Sequence, residues 1–105
     1  MYFEENLVVK RVWTDEELQE CLVAYLRMYQ DEVLGRKFIK VQVYRELSAK
    51  TGRSVKSIER RFGNISHIMN LRGRKWISGL LPLSNVGPNV QPRLEAMLDQ
   101  LEGFT

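Results

Sequence analysis

The residues of this sequence best able to bind a ligand are bases, amides and hydroxyls that lie between positions 53 and 75. Arg60 and Arg61 can each form a two-point hydrogen-bonded pair with guanine or with a phosphate group. Asn64 can bond adenine with the same two-point geometry. The nucleic-acid-binding residues predicted from the sequence are Arg53, Ser54, Lys56, Ser57, Arg60, Arg61, Asn64, Arg72, Arg74 and Lys75.

Two parts of this set are expected to contact phosphate groups. Ser54 and Ser57 lie where a helix is predicted to begin, and the free N–H groups of a first helical turn bind phosphate. Residues 72–75, Arg-Gly-Arg-Lys, form a second basic cluster in which the glycine lets the backbone approach a phosphate. Trp76 follows and could stack on a base, but we expect it to anchor the core while the bases bind phosphate.

Positive charge is concentrated in the middle of the chain. Residues 36–76 carry twelve lysines and arginines and two acids, a net charge of +10, whereas the whole chain carries +3. Residues 1–35 carry −5 and residues 77–105 carry −2. A local excess of this kind is typical of a surface that binds a polyanion. The alternative is a solvated basic face, but the uneven distribution favours nucleic acid.

The composition argues against an enzyme and against a metal site. Cys21 is the only cysteine and His67 the only histidine, so the sequence contains no cysteine or histidine cluster for a metal and no internal disulfide. Glu46 and Glu59 are the only acids in residues 36–76, whereas a metal-dependent nuclease needs clustered carboxylates beside the phosphate. We therefore expect no catalytic residue, no metal and no cofactor.

A capping box marks the start of the first predicted helix. Thr14 can accept a hydrogen bond from the backbone three residues on, and Glu17 stands at the matching position. Apolar residues recur with helical spacing from there to Val33, and Gly35 ends the helix. Cys21 lies beside this apolar stripe and is therefore expected to be a small core residue.

The middle of the chain predicts a helix-turn-helix unit. A second helix over residues 41–50 stops at Gly52, and Ser54 caps a third helix over residues 54–71. In such units the N-terminal residues of the second helix enter the major groove of DNA. On the third helix a polar stripe lies opposite the apolar one, and its glycine leaves a gap on the exposed face. This polar stripe consists of Lys56, Arg60, Gly63 and His67.

The predicted architecture is an all-α, four-helix domain with a central helix-turn-helix and a Trp-anchored C-terminal loop. Residues 1–12 form an N-terminal arm and residues 14–71 a three-helix core. Residues 72–92 contain all three prolines and form a long loop, and Pro92 opens a final helix over residues 92–102. The 105 residues fit one domain. We expect a cytoplasmic protein, because no apolar run is long enough for a membrane helix and the acidic start is unlike a signal peptide.

The chain also resembles a known bacterial domain over roughly residues 12–92. The most specific matches are Arg53-Ser54, Ser57-Ile58-Glu59, Asn64-Ile65-Ser66 and Trp76-Ile77-Ser78-Gly79. Others are Trp13-Thr14, Glu16-Glu17, Tyr25, Leu34-Gly35, Leu71, Pro82 and Asn85. This pattern resembles the N-terminal DNA-targeting domain that accompanies HNH and other restriction-type nucleases. The resemblance implies a module that delivers a nuclease domain or subunit to duplex DNA, although no catalytic domain is present among these residues.

Binding of duplex DNA without catalysis is the function that the sequence favours. The first rival is a protein-interaction module that engages a restriction or defence enzyme, which the acidic first helix and the aromatics Tyr2, Phe3 and Phe104 would suit. The second rival is an RNA-binding module. The salt dependence of duplex binding separates the first rival from DNA binding, and competition between duplex and single strand separates the second.

Overall fold

The chain forms four helices, and no strand, in a computed structural model that describes residues 12–103. The helices are α1 (Asp15–Val33), α2 (Lys40–Thr51), α3 (Val55–Leu71) and α4 (Val90–Leu101). They confirm the predicted all-α, four-helix domain. None of these helices combines the length and the apolar character needed to cross a membrane. Residues 1–11 of the predicted N-terminal arm, with Tyr2 and Phe3, lie outside the described residues, as does Phe104.

A reciprocal capping box starts α1. The Thr14 hydroxyl accepts a hydrogen bond from the Glu17 N–H at 3.1 Å, and the Glu17 carboxylate accepts one from the Thr14 N–H at 3.1 Å. Acidic residues fill the first turn, where the positive end of the helix dipole favours them. The helix ends at Val33, and Gly35 follows with a φ of 73°, a left-handed conformation that glycine adopts without strain. Both ends of α1 agree with the prediction.

A tight turn at residues 52–54 joins α2 to α3. Gly52 adopts a φ of 80°, and its N–H donates to the Ser48 carbonyl at 2.8 Å, which ends α2. The Ser54 hydroxyl accepts from the Ser57 N–H at 3.1 Å and so caps α3. The predicted helix-turn-helix unit is present, and its two helices pack directly against each other.

The central element of the domain is α3, which packs against the other three helices. Its Phe62 side chain is fully buried and meets the rings of Tyr25 and Tyr44 edge-to-face, with centroids 5.8 and 5.2 Å apart. Aromatic pairs in this geometry add to the stabilisation from burial itself. Cys21 is fully buried, as predicted for a core residue. The other buried apolar residues of α3 are Ile58, Ile65, Ile68 and Met69.

One hydroxyl and one buried side chain attach the loop between α3 and α4 to the core. Ile77 is fully buried, and its N–H donates to the Tyr25 hydroxyl at 3.3 Å. The same hydroxyl pairs with the Ser66 hydroxyl at 2.9 Å. Trp76, the predicted anchor, packs against the core with only part of its surface. Ile77 therefore carries more of the anchoring than the tryptophan beside it.

The last helix begins at Val90, two residues before the predicted start at Pro92. Val90 is buried, and the Gln91 N–H donates to the Gly87 carbonyl at 3.2 Å, so the first turn closes earlier than the proline suggests. Pro92 is tolerated as the third residue of α4, because N–H groups of a first turn have no intrahelical partner to lose.

We expect Tyr25→Phe to destabilise the domain. The substitution removes the hydroxyl that Ser66 and the Ile77 N–H share, so two buried polar groups lose a partner, at a cost of about 1–3 kcal/mol. Urea denaturation followed by circular dichroism measures this loss. Ser66→Ala keeps the bond between Tyr25 and Ile77 and is expected to cost less. An unchanged unfolding midpoint for Tyr25→Phe would contradict this role of the hydroxyl.

Cys21 is expected to be unreactive in the folded protein. Burial raises the pKa of its thiol to about 12, so almost no thiolate is present at about pH 8, and the side chain is inaccessible as well. Reaction with dithionitrobenzoate checks this, with no colour expected in buffer and complete reaction expected in urea. Rapid labelling of the folded chain would show that the thiol is not held in the core.

Candidate nucleic-acid interface

An open pocket of about 440 Å³ lies beside the first turns of α3. It brings together six of the ten predicted binding residues, and it adds Trp13 from the start of α1 with Asn85 and Val86 from the loop before α4. The sequence analysis missed these three because they are far from α3 along the chain and no local pattern connects them to it. We name this site the cationic pocket, and its lining residues are Trp13, Ser54, Lys56, Ser57, Arg60, Arg61, Asn64, Asn85 and Val86.

Lys56 and Arg60 supply the accessible positive charge of the cationic pocket. Both side chains are exposed, and neither forms a hydrogen bond or ion pair with another residue of the described range 12–103. Glu59, the one acid in the α3 sequence, is exposed and pairs with neither of them. The first turn of α3 contains no acidic residue, so the positive end of the helix dipole is not compensated from within that turn.

Arg61 holds a partly buried positive charge that has no carboxylate partner among the described residues. Its Nη1 donates to Asn64 Oδ1 at 3.0 Å, and its guanidinium carbon lies 4.6 Å from the centre of the Trp13 ring. The Nε of Arg61 is buried without any hydrogen-bond partner. Burial lowers the pKa of Arg61, and the nearby charge of Arg53 lowers it further. An anion that enters the pocket can offset the positive charge of Arg61, while the buried Nε stays closed to solvent.

Arg53, predicted to bind nucleic acid, is used inside the fold. Its Nε and Nη2 donate to the Glu17 carboxylate at 3.1 and 3.0 Å, and the two side chains are only 9% and 11% exposed. Its guanidinium carbon also lies 4.1 Å from the Trp13 ring centre, and its Nη2 donates to the Val12 carbonyl at 3.0 Å. The ion pair fastens the turn between α2 and α3 to the start of α1.

Asn64 and Gly63 lie beneath residues 81–86, which we name the covering segment. Asn64 is 5% exposed, its Nδ2 donates to the Leu83 carbonyl at 2.8 Å, and its Oδ1 accepts from Arg61. The Leu83 N–H donates to the Gly63 carbonyl at 3.0 Å, and a Cβ added at Gly63 would lie 2.9 Å from Leu83 Cδ1. The prediction that Gly63 is exposed is therefore wrong. The amide of Asn64, predicted to bond adenine, is instead engaged within the fold.

The second predicted basic cluster mainly holds α4 in place. Arg72 pairs with Asp99 at 2.7 Å, and Arg74 forms two hydrogen bonds to the Glu102 carboxylate at 2.7 and 2.9 Å. The two arginines, predicted to contact phosphate, are paired in this fold with acids of the α4 region. Lys75 is exposed, and within the described part of the chain it forms no ion pair. The cluster follows the end of α3, about 25 Å along the helix from its first residue.

Internal ion pairs absorb much of the charge imbalance that the sequence shows. Acidic residues of α1 and α4 face bases from the middle of the chain, and the pair between Lys50 and Glu20 at 3.1 Å is a further example. The net charge of residues 36–76 therefore overstates the free positive surface. Around the start of α3, the positive charge that stays available to a ligand is that of the cationic pocket.

The chemistry of the cationic pocket is that of anion binding. Its lining contains guanidinium, ammonium, hydroxyl and amide groups and no carboxylate. Across residues 12–103, no three or more histidine, cysteine, aspartate or glutamate side chains come together in a way that could hold a metal ion. His67 is half-buried further along α3, and Cys21 is in the core.

Comparison of the chain with protein-family models, with curated proteins and with solved structures finds no match. The resemblance to a nuclease-associated DNA-targeting domain therefore stays a prediction from the sequence. The function has to be inferred from the geometry and the charges of the pocket.

Methionine substitutions at Arg61 and Arg53 are expected to affect stability differently. Arg61→Met keeps an unbranched chain beside Trp13 and removes a charge without a carboxylate partner, but it also removes the donor to the buried Asn64 Oδ1. The free energy of unfolding should therefore fall by only about 1 kcal/mol. Arg53→Met removes the guanidinium that pairs with the buried Glu17 carboxylate and should cost about 3 kcal/mol. Urea denaturation of both variants measures the difference.

Equal destabilisation by the two methionine variants would mean that the charge of Arg61 is compensated within the protein. The reason for assigning that charge to a ligand would then be lost.

Proposed function

We propose that this domain binds duplex DNA, without catalysis, through the cationic pocket. The observation that carries the proposal is the convergence of Lys56, Arg60 and Arg61 with the uncompensated start of α3, in a pocket whose lining contains no carboxylate. Desolvating a guanidinium without a carboxylate partner opposes stability, whereas it favours the binding of a phosphate. These cations therefore contribute more to the binding of an external anion than to the stability of the fold.

The first two turns of α3 are the part of the helix that would meet the DNA. The covering segment lies over the outer face of the helix at Gly63 and Asn64, so the whole length of α3 does not enter the major groove. Lys56 and the N–H groups at the start of α3 would contact phosphates, and Arg60 would reach a phosphate or the edge of a guanine. In this arrangement only the N-terminal end of α3 enters the groove of the DNA.

Duplex DNA is favoured over duplex RNA by the shape of the two grooves. The major groove of B-form DNA admits the end of a helix, whereas the deep, narrow major groove of A-form RNA does not. Following the sequence resemblance, we further propose that the domain directs a restriction-type nuclease domain or subunit to DNA. This role would place it in the cytoplasm, with the DNA.

A protein-interaction role is the second candidate, and one exposed side chain favours it. Leu81 of the covering segment is 72% exposed and lines a neighbouring open pocket with Lys56, Arg60 and the single acid Glu59. An exposed leucine next to cations suits an acidic protein surface with an apolar contact. In this reading the partner is a restriction or defence enzyme.

Replacing Arg60 and Arg61 together by alanine is expected to weaken duplex binding by more than about tenfold. Lys56→Ala should lower the slope of log affinity against log salt by about 1, because one phosphate contact is lost. Fluorescence anisotropy with a labelled duplex over a salt series measures both quantities. Circular dichroism confirms that the variants remain folded.

Lys37→Ala is the matched control. Lys37 is also an exposed base, but it lies in the loop between α1 and α2, outside the cationic pocket, so its removal should leave affinity nearly unchanged. Equal weakening by Lys37→Ala and Arg60→Ala would indicate a diffuse charge effect and overturn the assigned site. Absence of duplex binding even at low salt would support the protein-interaction role, and preference for RNA would overturn the assignment to DNA.

A further inference from the structure

A second open pocket, of about 500 Å³, lies at the other end of α1. Its lining combines two aromatic rings, one carboxylate and one ammonium group. From Asp15, at the start of α1, to Glu32 in this pocket, the helix rises about 25 Å, so the site is separate from the cationic pocket. We name it the aromatic pocket, and it is lined by Tyr29, Glu32, Val33, Lys75, Trp76 and Ser78.

Contacts with neighbouring residues hold the two aromatic walls of this pocket in place. Tyr29 is half-buried and stacks on the buried Tyr25 ring with centroids 6.4 Å apart. The guanidinium carbon of Arg74, itself fixed by Glu102, lies 5.5 Å from the centre of the Tyr29 ring. Trp76 is also half-buried and immediately precedes the fully buried Ile77, leaving part of its indole on the pocket side. Because these rings are already fixed, a base can stack on them with little further loss of side-chain conformational entropy.

The carboxylate of Glu32 has a fixed position in the pocket. It accepts hydrogen bonds from the Ser78 N–H at 3.0 and 3.3 Å and from the Ser78 hydroxyl at 3.3 Å. A carboxylate offers about four acceptor sites, so Glu32 can still accept hydrogen bonds from a ligand. It cannot donate any while ionised, so the ligand edge that faces it must present donors.

We propose that the aromatic pocket binds an unpaired guanine nucleotide. The base stacks on Tyr29 and Trp76, its N1–H and 2-amino group donate to the Glu32 carboxylate, and its phosphate lies near Lys75. Guanine is the base whose pairing edge carries two adjacent donors. Adenine and cytosine carry a ring acceptor on that edge, and thymine carries a single N–H between two carbonyls, so each of them meets the carboxylate less well.

The charges around the pocket favour a nucleotide over an organic cation. Aromatic walls with a carboxylate also attract ammonium groups. However, the exposed ammonium group of Lys75 lines this pocket and repels a cationic ligand, whereas the charge of Arg74 is already paired with Glu102. A nucleotide places its phosphate near the ammonium group of Lys75. This proposal does not depend on duplex binding at the cationic pocket.

Titration of the whole chain with guanosine monophosphate tests the proposal. Calorimetry gives the affinity, and the Trp76 indole N–H resonance in a nitrogen–proton correlation spectrum reports the location. We expect guanosine monophosphate to bind at least about tenfold more tightly than inosine monophosphate, which lacks the 2-amino group, or adenosine monophosphate. Equal affinity for the three nucleotides, or no shift of the resonance at about 10 mM ligand, would overturn the assignment.

Two variants separate the roles of Glu32 and Lys75. Glu32→Gln is expected to lower the affinity for guanosine monophosphate by at least about tenfold, because a neutral amide replaces an ionised acceptor. If it unfolds the chain, Lys75→Ala still tests the site, because Lys75 is exposed and forms no ion pair within residues 12–103. Lys75→Ala should lower the affinity for guanosine monophosphate and leave the affinity for guanosine, which has no phosphate, unchanged. An equal loss of affinity for guanosine monophosphate and for guanosine would contradict a phosphate contact at Lys75.

Further ligands and one control variant distinguish the source of the guanine. A thymidine oligonucleotide with one central guanine represents unpaired DNA. The same guanine paired in a duplex should not shift the Trp76 indole N–H resonance. Binding of free nucleotide alone, or of both free nucleotide and oligonucleotide, supports the site and identifies its source. Arg60→Ala is expected to weaken duplex binding without changing the guanosine monophosphate titration. Preferential binding of tetramethylammonium would show that the pocket is an ammonium cage instead.

Discussion

The carboxylate of Glu17 links most of the features that define this domain. It closes the capping box that starts α1, and it accepts both side-chain hydrogen bonds from Arg53 at the turn that starts α3. Trp13, immediately before the cap, lies against Arg53 and Arg61. One buried acid therefore sets the position of two helix starts and of the aromatic ring between them. It also leaves Arg61 as the arginine of this cluster with no carboxylate among the described residues.

Basic residues of the chain divide into two groups that composition does not separate. Arg53, Arg72 and Arg74 hold helices together through short ion pairs with acids of α1 and α4. Lys56 and Arg60 project into solvent at the start of α3 without such partners. Position in the fold decides which bases are paired. An arginine that faces the acidic residues of a neighbouring helix forms an ion pair with them. Of these two groups, the second has charge left for a polyanion.

Burial of α3 limits how this domain can meet a ligand. A helix at the centre of a small four-helix fold cannot also expose a full face, and the covering segment takes the middle of its outer side through Gly63 and Asn64. The open part of the outer face of α3 is therefore its first two turns. The aromatic pocket uses different elements, the end of α1 and the loop after α3, and so has a chemistry of its own. Two sites about 25 Å apart along α1 can act on separate groups of one partner or on unrelated ligands.

The sequence by itself determined the local structure. Capping at Thr14 and Ser54, the glycine stop at Gly52 and the apolar stripe of α3 are set by neighbouring residues, and the structure follows them closely. Contacts over long separations had to be seen in the fold. Leu83 covers Gly63, and Glu17 neutralises Arg53, although each pair is twenty or more residues apart. Periodicity reports which face of a helix is apolar, but only tertiary packing decides which polar groups on the other face are covered or paired, because those partners come from distant parts of the chain.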